Sequence, residues 1–301
     1  MRETAAFFLY LLGCLVLAAL LTWPLMQSGW IDQPPQRVMG RIAQILILAG
    51  LWPMLRAFTV ANSASLGFGV PRREFLRALG IGWLAGLVIL ILLALALVAL
   101  GIRIPNPVTL DRLATKAVQA LLGGLLVAAL EEAFFRGALY SAISRHGGAW
   151  SAILWSSLLF ALLHFMKPRG LPDGMAYDWA GNWQVFASTF TNSWQWRNLD
   201  SFMALLLVGI FLGLVRRRTG HIGWCIGLHA GWVFVIQVAR VLTEDDQAAP
   251  LAWLTGDYDG VIGWLAAVWI GALALWLGLA RPVGPSVLAN SPRPGGERGL
   301  G

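Results

Sequence analysis

Residues 123–136, G-G-L-L-V-A-A-L-E-E-A-F-F-R, and residues 150–165, W-S-A-I-L-W-S-S-L-L-F-A-L-L-H-F, decide the fold of this chain. Both lie in apolar runs close to the ~20 residues that cross a membrane, yet the first holds Glu131, Glu132 and Arg136 and the second holds His164. An ionisable group at such depth costs roughly 2.5 to 3.5 kcal/mol on insertion scales, so each needs a partner or a task. Gly147 and Gly148 stand midway between Glu131 and His164. A hairpin folded there carries each about 16 residues, ~24 Å, along its helix and leaves the two level. A carboxylate facing an imidazole across antiparallel helices is a general-base pair for activating water.

The rest of the chain is read outward from that hairpin. Of 301 residues, 58% are hydrophobic and 12% charged, about half the ~25% charge of a soluble domain. Apolar runs at 5–26, 42–60, 79–102, 117–144, 150–165, 201–215, 221–242 and 261–280 predict an all-α, polytopic membrane bundle of about eight transmembrane helices. One transmembrane domain is expected over 1–281, with a disordered, Gly/Pro-rich cytoplasmic tail at 282–301. The first run is long for a signal-peptide core and reads as a retained helix. The run at 79–102 carries no chemistry and reads as lipid-facing. The connection at 167–200 holds Trp179, Trp183, Trp194 and Trp196, a density that suits the headgroup region.

The net charge of +7 does not point to nucleic acid, because the arginines fall in short loops between apolar runs. With both termini cytoplasmic, Arg72, Arg73, Arg77, Arg145, Arg216, Arg217 and Arg218 are cytoplasmic, and Glu244, Asp245, Asp246, Asp257 and Asp259 lie outside, as the positive-inside rule requires. Arg103, Arg112 and Lys116 stand against it on the outer side. This topology predicts a multi-pass protein of the cell membrane. Cys14 and Cys225 lie in separate apolar runs and form neither a disulfide framework nor a paired-cysteine zinc motif.

Glu132 and Arg136 are four apart, so they share a helix face as an ion pair. Glu131 points about 100° away from Glu132 and lacks that partner, which makes it the candidate base. His164 follows Phe160 by four, placing an aromatic ring one turn below the imidazole. In H-I-G-W-C-I-G-L-H-A-G-W at 221–232, His221, Cys225 and His229 share a face, and Gly223, Gly227 and Gly231 form another, suited to close packing. His229 is the third polar intrusion. A Glu131, His164, His229 set has two uses: three zinc ligands with an open position, or a metal-free site where the second imidazole stabilises an oxyanion. Spacing does not choose between a divalent metal and none. His221 reads as interfacial and Cys225 as a small core residue.

The order E-E-A-F-F-R at 131–136, F-A-L-L-H at 160–164 and a later helical histidine at 229 resembles the CAAX protease and bacteriocin-processing family, also called Abi, which includes type II CAAX prenyl endopeptidases. Its motifs are Glu-Glu-x-x-x-Arg, Phe-x-x-x-His and His-x-x-x-Asn or Asp, and the resemblance covers about 60–245. The third motif departs here, because Val233 occupies the last position. The resemblance implies a membrane-embedded endopeptidase with Glu131 as base, His164 its partner, His229 a ligand or oxyanion-binding group, and Glu132 and Arg136 orienting the first motif. It implies a membrane-associated protein or peptide as substrate. Asn182 and Asn192 are candidate substitutes for the missing donor. A proton- or ion-coupled transporter, and a non-catalytic immunity or scaffold protein of the same fold, are the competing classes.

His229 poses a geometric question. It lies about ten residues, ~15 Å, past the turn after Arg218, against ~24 Å for Glu131 and His164 from theirs. Convergence requires the Thr219–Gly220 turn to sit deeper than the Gly148 turn, with a short sixth span as the cause and Arg216, Arg217 and Arg218 snorkelling outward.

Overall fold

The computed structural model describes residues 2–57, 61–191, 198–256 and 258–280. Nine α-helices are found among them: α1 Arg2–Gln27, α2 Pro35–Ala57, α3 Arg72–Ala99, α4 Leu110–Glu132, α5 Tyr140–Phe165, α6 Trp179–Thr191, α7 Leu199–Thr219, α8 Gly223–Leu242 and α9 Trp264–Leu279. A π-helical segment, Ala133–Leu139, joins α4 to α5 without a turn. Gly148, at φ 75° and ψ 169°, breaks α5 and supplies the hairpin's fold-back. Six helical stretches are long and apolar enough to cross a membrane, counting 110–165 as one. Dividing that stretch at Gly148 and adding the shorter apolar α9 gives the eight crossings of an all-α bundle. The 281–301 tail and residues 58–60 lie outside the described residues.

Small residues set the closest approach in the bundle. A Cβ at Gly227 of α8 would stand 2.2 Å from Leu79 O, and one at Gly231 2.6 Å from Trp83 O; on α3, Gly82 and Gly86 approach Trp224 O and Leu228 O in return. Backbones in lipid gain from such contact because apolar tails offer no hydrophobic driving force between helices. The third run, read as lipid-facing, thus also has one packed face. Leu84, Val88, Leu92 and Leu95 do face outward, but the glycine face of α3 is bound to the histidine-bearing helix. The starting turn is also earlier than the apolar run, since Arg72, Arg73 and Arg77 belong to α3.

Other connections depart from the sequence reading. The 167–200 segment contains a helix, α6, whose Val185 packs with Ala18, Ala19, Met39 and Ala43 of α1 and α2; Trp194 and Trp196 fall outside the described residues. A two-stranded antiparallel ribbon, β1 Arg103–Pro105 with β2 Thr243–Asp245, ties the α3–α4 loop to the α8–α9 loop. Arg103 is 3% exposed. It pairs with Asp245 and donates to Gly260 O at 2.7 Å and Thr243 O at 2.7 Å. Of the three cations that opposed the charge rule, Arg103 is therefore neutralised inside an acidic loop. Asp259 accepts the N–H groups of Val261 and Ile262 at 2.9 and 2.7 Å, while burial pushes its carboxyl pKa up.

Glycine at 227 is tested against glycine at 123, where a Cβ meets nothing within 4 Å. Gly227→Ala forces α3 and α8 apart, and overpacking of this kind costs about 1–3 kcal/mol. Its unfolding midpoint in detergent should fall, whereas Gly123→Ala should hold or rise, because alanine is the better helix former by about 1 kcal/mol.

Candidate active site

The site is assembled from three helices and one backbone irregularity. Glu132 closes α4 and is fully buried; Arg136, one turn on in the π-helical segment, is also fully buried. Arg136 donates to Glu132 Oε1 at 3.1 Å and to Gly209 O of α7 at 3.2 Å. Its guanidinium lies 4.5 Å from the Phe160 ring centroid. Gly209 can offer its carbonyl there because it has no side chain: a Cβ would stand 2.7 Å from Ser157 Cβ of α5. The Glu132 and Arg136 pair inferred from spacing is thus present, with α5 and α7 packed around it.

The π-helical turn carries a second consequence. Arg136 O accepts from Arg216 Nε at 3.1 Å, and Arg216 also reaches Ser65 O at 3.4 Å. Arg216 is 8% exposed, so it does not snorkel; of the cluster only Arg217, stacked 4.7 Å over Trp150, and Arg218 lie at the surface. A Cβ on Gly137 would stand 2.8 Å from Leu66 O, the link's closest approach to this segment. The expected deeper turn and its cause are not found: α7 has 21 residues, not about 15, Gly213 packs on Ile153 and Arg217 on Trp150, so the α7–α8 turn reaches the level of the Gly148 bend. His229 meets Glu131 and Glu132 all the same, because side chains span the difference in height.

The three candidate groups converge. Glu131 Oε2 is 3.9 Å from His164 Nε2 and 3.9 Å from His229 Nε2. His164 Nδ1 is 2.8 Å from Phe160 O, and His229 Nδ1 is 2.9 Å from Glu132 Oε1. A carbonyl or carboxylate oxygen accepts, so Nδ1 carries the proton in both rings and both Nε2 atoms turn to Glu131. Distances of 3.9 Å are too long for direct hydrogen bonds and of a length that one bridging water can span. The Glu131 side chain is 31% exposed and His164 19%, against none for Glu132 and Arg136.

The remaining candidates are sorted by place. His221, buried in the α7–α8 turn, accepts the Gly223 N–H on Nδ1 at 3.2 Å, and burial pushes its pKa down. Cys225 is a buried core residue whose thiol donates to Leu212 O at 3.4 Å. Asn182 is not at the site: its Nδ2 donates to Ala19 O at 3.1 Å and its Oδ1 accepts from Tyr177 at 2.8 Å, tying α6 to α1. Asn192 falls outside the described residues. Val233 packs toward Gly124 of α4. Tyr258, which no spacing flagged, stands with its ring 6.3 Å from the His164 ring and its hydroxyl 3.3 Å from Lys167 Nζ. It lies on a loop 94 positions from His164 in sequence, so only the fold relates them.

As placed, the set is wider than a zinc cage. Tetrahedral ligands about 2.0–2.1 Å from zinc stand roughly 3.3–3.4 Å from one another, shorter than the 3.9 Å separations here. Among the described residues no group of three His, Cys, Asp or Glu could hold an ion.

Truncating Arg136 leaves the buried Glu132 without its counter-charge, which commonly costs ~3–5 kcal/mol. Arg136→Ala should fold in poor yield and unfold early in detergent. Recovery of yield on adding Glu132→Gln would identify the orphaned carboxylate as the cause.

Residues 113–235, which include Glu131, His164 and His229, match the family model described as type II CAAX prenyl endopeptidase Rce1-like. No curated protein and no solved structure matches the chain.

Proposed function

We propose, from the match of residues 113–235 to the family model described as type II CAAX prenyl endopeptidase Rce1-like, that the chain is an intramembrane endopeptidase of the glutamate type. The observation that carries this reading is the convergence of both Nε2 atoms on one Glu131 oxygen. A water held between Glu131 Oε2 and His164 Nε2 donates a proton to each, leaving its oxygen lone pair free to attack a peptide carbonyl. Glu131, as general base, takes the proton as the C–O bond forms. It then returns that proton to the departing amine as the C–N bond breaks.

His229 completes the charge pattern. Glu131, Glu132 and Arg136 together carry one net negative charge, so a proton on His229 Nε2 brings the cluster to neutrality and turns the ring into a donor for the developing oxyanion. Such a donor acts most strongly where water is excluded, and His229 is 7% exposed. The Glu132 carboxylate holds the ring at Nδ1, the role a carboxylate plays in orienting a catalytic histidine. This supports His229 as the oxyanion group even with Val233 following it in place of an amide. The substrate is a membrane-associated protein or peptide.

The test is cleavage of a reporter peptide by purified protein in detergent. Glu131→Gln, nearly isosteric, should lose ~10²–10⁴-fold in kcat, the usual worth of general-base catalysis. An unaltered rate would sink Glu131 as the base, and no cleavage by the wild type would return the fold to the scaffold reading. Incubation with a chelator should leave the wild-type rate intact; reversible loss restored by zinc would instead make Glu131, His164 and His229 ligands.

A further inference from the structure

Three arginines are buried among the described residues: Arg103, Arg136 and Arg216. The first two each face a carboxylate, Arg103 with Asp245 and Arg136 with Glu132. Arg216 faces none among the described residues. Its guanidinium donates from Nε to Arg136 O at 3.1 Å and from Nη2 to Ser65 O at 3.4 Å, and lies 5.6 Å from the Tyr140 ring centroid. Carbonyls and a ring satisfy hydrogen bonds but leave the unit charge uncancelled, and a buried charge of that kind is costly until an anion meets it. Nη1 makes no hydrogen bond among the described residues and is not enclosed. That is the edge a ligand can reach.

A second guanidinium comes to the same place. Arg145 donates to the Ser65 hydroxyl at 3.3 Å, so two cations are brought to one residue of the 61–71 link. The link wraps closely around them: at Gly67, φ 83°, a Cβ would stand 3.2 Å from Arg216 Nε and 2.9 Å from Ile222 Cγ2. Ile222 N–H donates to Gly67 O at 3.0 Å, and the Ser141 hydroxyl is bonded to Ser65 O. Residues 61–78, 140–150 and 216–223, which meet here, hold three, one and three arginines, and the one carboxylate among them is Glu74. Guanidinium forks gathered in this way match the oxygens of a phosphate group.

Apolar surface beside the cluster points to the source of that phosphate. Arg217, next to Arg216, stacks 4.7 Å over Trp150. Trp150 is 55% exposed, and Leu154, one turn further along α5, is 56% exposed. A Trp at the end of an apolar helix marks the headgroup level. The strip from Trp150 to Leu154 therefore runs from that level along a membrane-crossing helix, where an acyl chain lies. A soluble phosphate would leave the strip unused.

We propose that Ser65, Arg145 and Arg216 bind the phosphate of an anionic phospholipid, with Arg217 beside it and an acyl chain along Trp150 and Leu154. The site is independent of the endopeptidase reading. Because Arg216 also holds Arg136 O, a bound lipid braces the π-helical segment that carries Arg136.

Binding is measured on the full-length protein in detergent by native mass spectrometry and by the unfolding midpoint, with phosphatidylglycerol, phosphatidylcholine and inorganic phosphate as separate probes. The wild type should retain phosphatidylglycerol in preference to phosphatidylcholine and unfold at a higher temperature with it, and inorganic phosphate alone should leave the midpoint in place. Arg216 is kept, since it also holds Arg136. Arg145→Gln with Arg217→Gln, both at exposed positions, should weaken phosphatidylglycerol binding about 30-fold, the usual worth of two interfacial cations. Arg112→Gln with Arg169→Gln, which removes the same charge from other exposed positions, should leave binding unchanged. Equal retention of the two lipids, no loss in the first double variant, an equal loss in the second, or a midpoint raised as far by inorganic phosphate overturns the proposal.

Discussion

The buried triad of Arg136, Glu132 and His229 is the constraint on which the rest depends. Two of its members have no exposure and the third almost none, so each must find its charge or hydrogen-bond complement inside the bundle. One oxygen, Glu132 Oε1, serves both Arg136 and His229. That sharing fixes the rotation of α4 against α8, and with it the direction in which Glu131, the next residue back, must point. A helix turned by one residue would bury Glu131 and expose Glu132.

Holding that triad places demands on the backbone. Arg136 reaches Gly209 O only where α5 and α7 nearly touch, which the absent side chain of Gly209 permits. The π-helical segment redirects the chain just after Glu132 and presents Arg136 O to Arg216. Widened turns of this kind occur mostly at functional sites. Arg216 then binds the link through Ser65. A charged residue at the end of a transmembrane helix thus serves as a pin between three segments.

A division of labour follows between neighbouring carboxylates. Glu132 is enclosed and paired, and through its hydrogen bond it orients the His229 ring. Glu131 is partly exposed and faces two imidazoles without a cation of its own. Environment alone separates two adjacent residues of one type into an enclosed, paired carboxylate and a partly exposed one, the kind of difference by which paired carboxylates acquire different roles.

Local pattern determined much of this protein. Apolar run lengths set the helical bundle, the i, i+4 spacing set the Glu132 and Arg136 pair, and the symmetric spacing about Gly148 set Glu131 level with His164, because each depends only on helix geometry and on the cost of charge in lipid. Tertiary structure decided the rest. Arg216 reads as a surface charge until a π-helical carbonyl is found beside it, and Arg103 reads as an outward cation until the ribbon brings Asp245 to it. The glycine face of α3 looks like any apolar run until α8 is packed on it. Tyr258 carries no periodic signal, since a loop residue is placed by what its flanking helices pack against. Pairings across many residues of sequence depend on which helices become neighbours, and that choice is made by the sum of all their contacts, not by any one stretch.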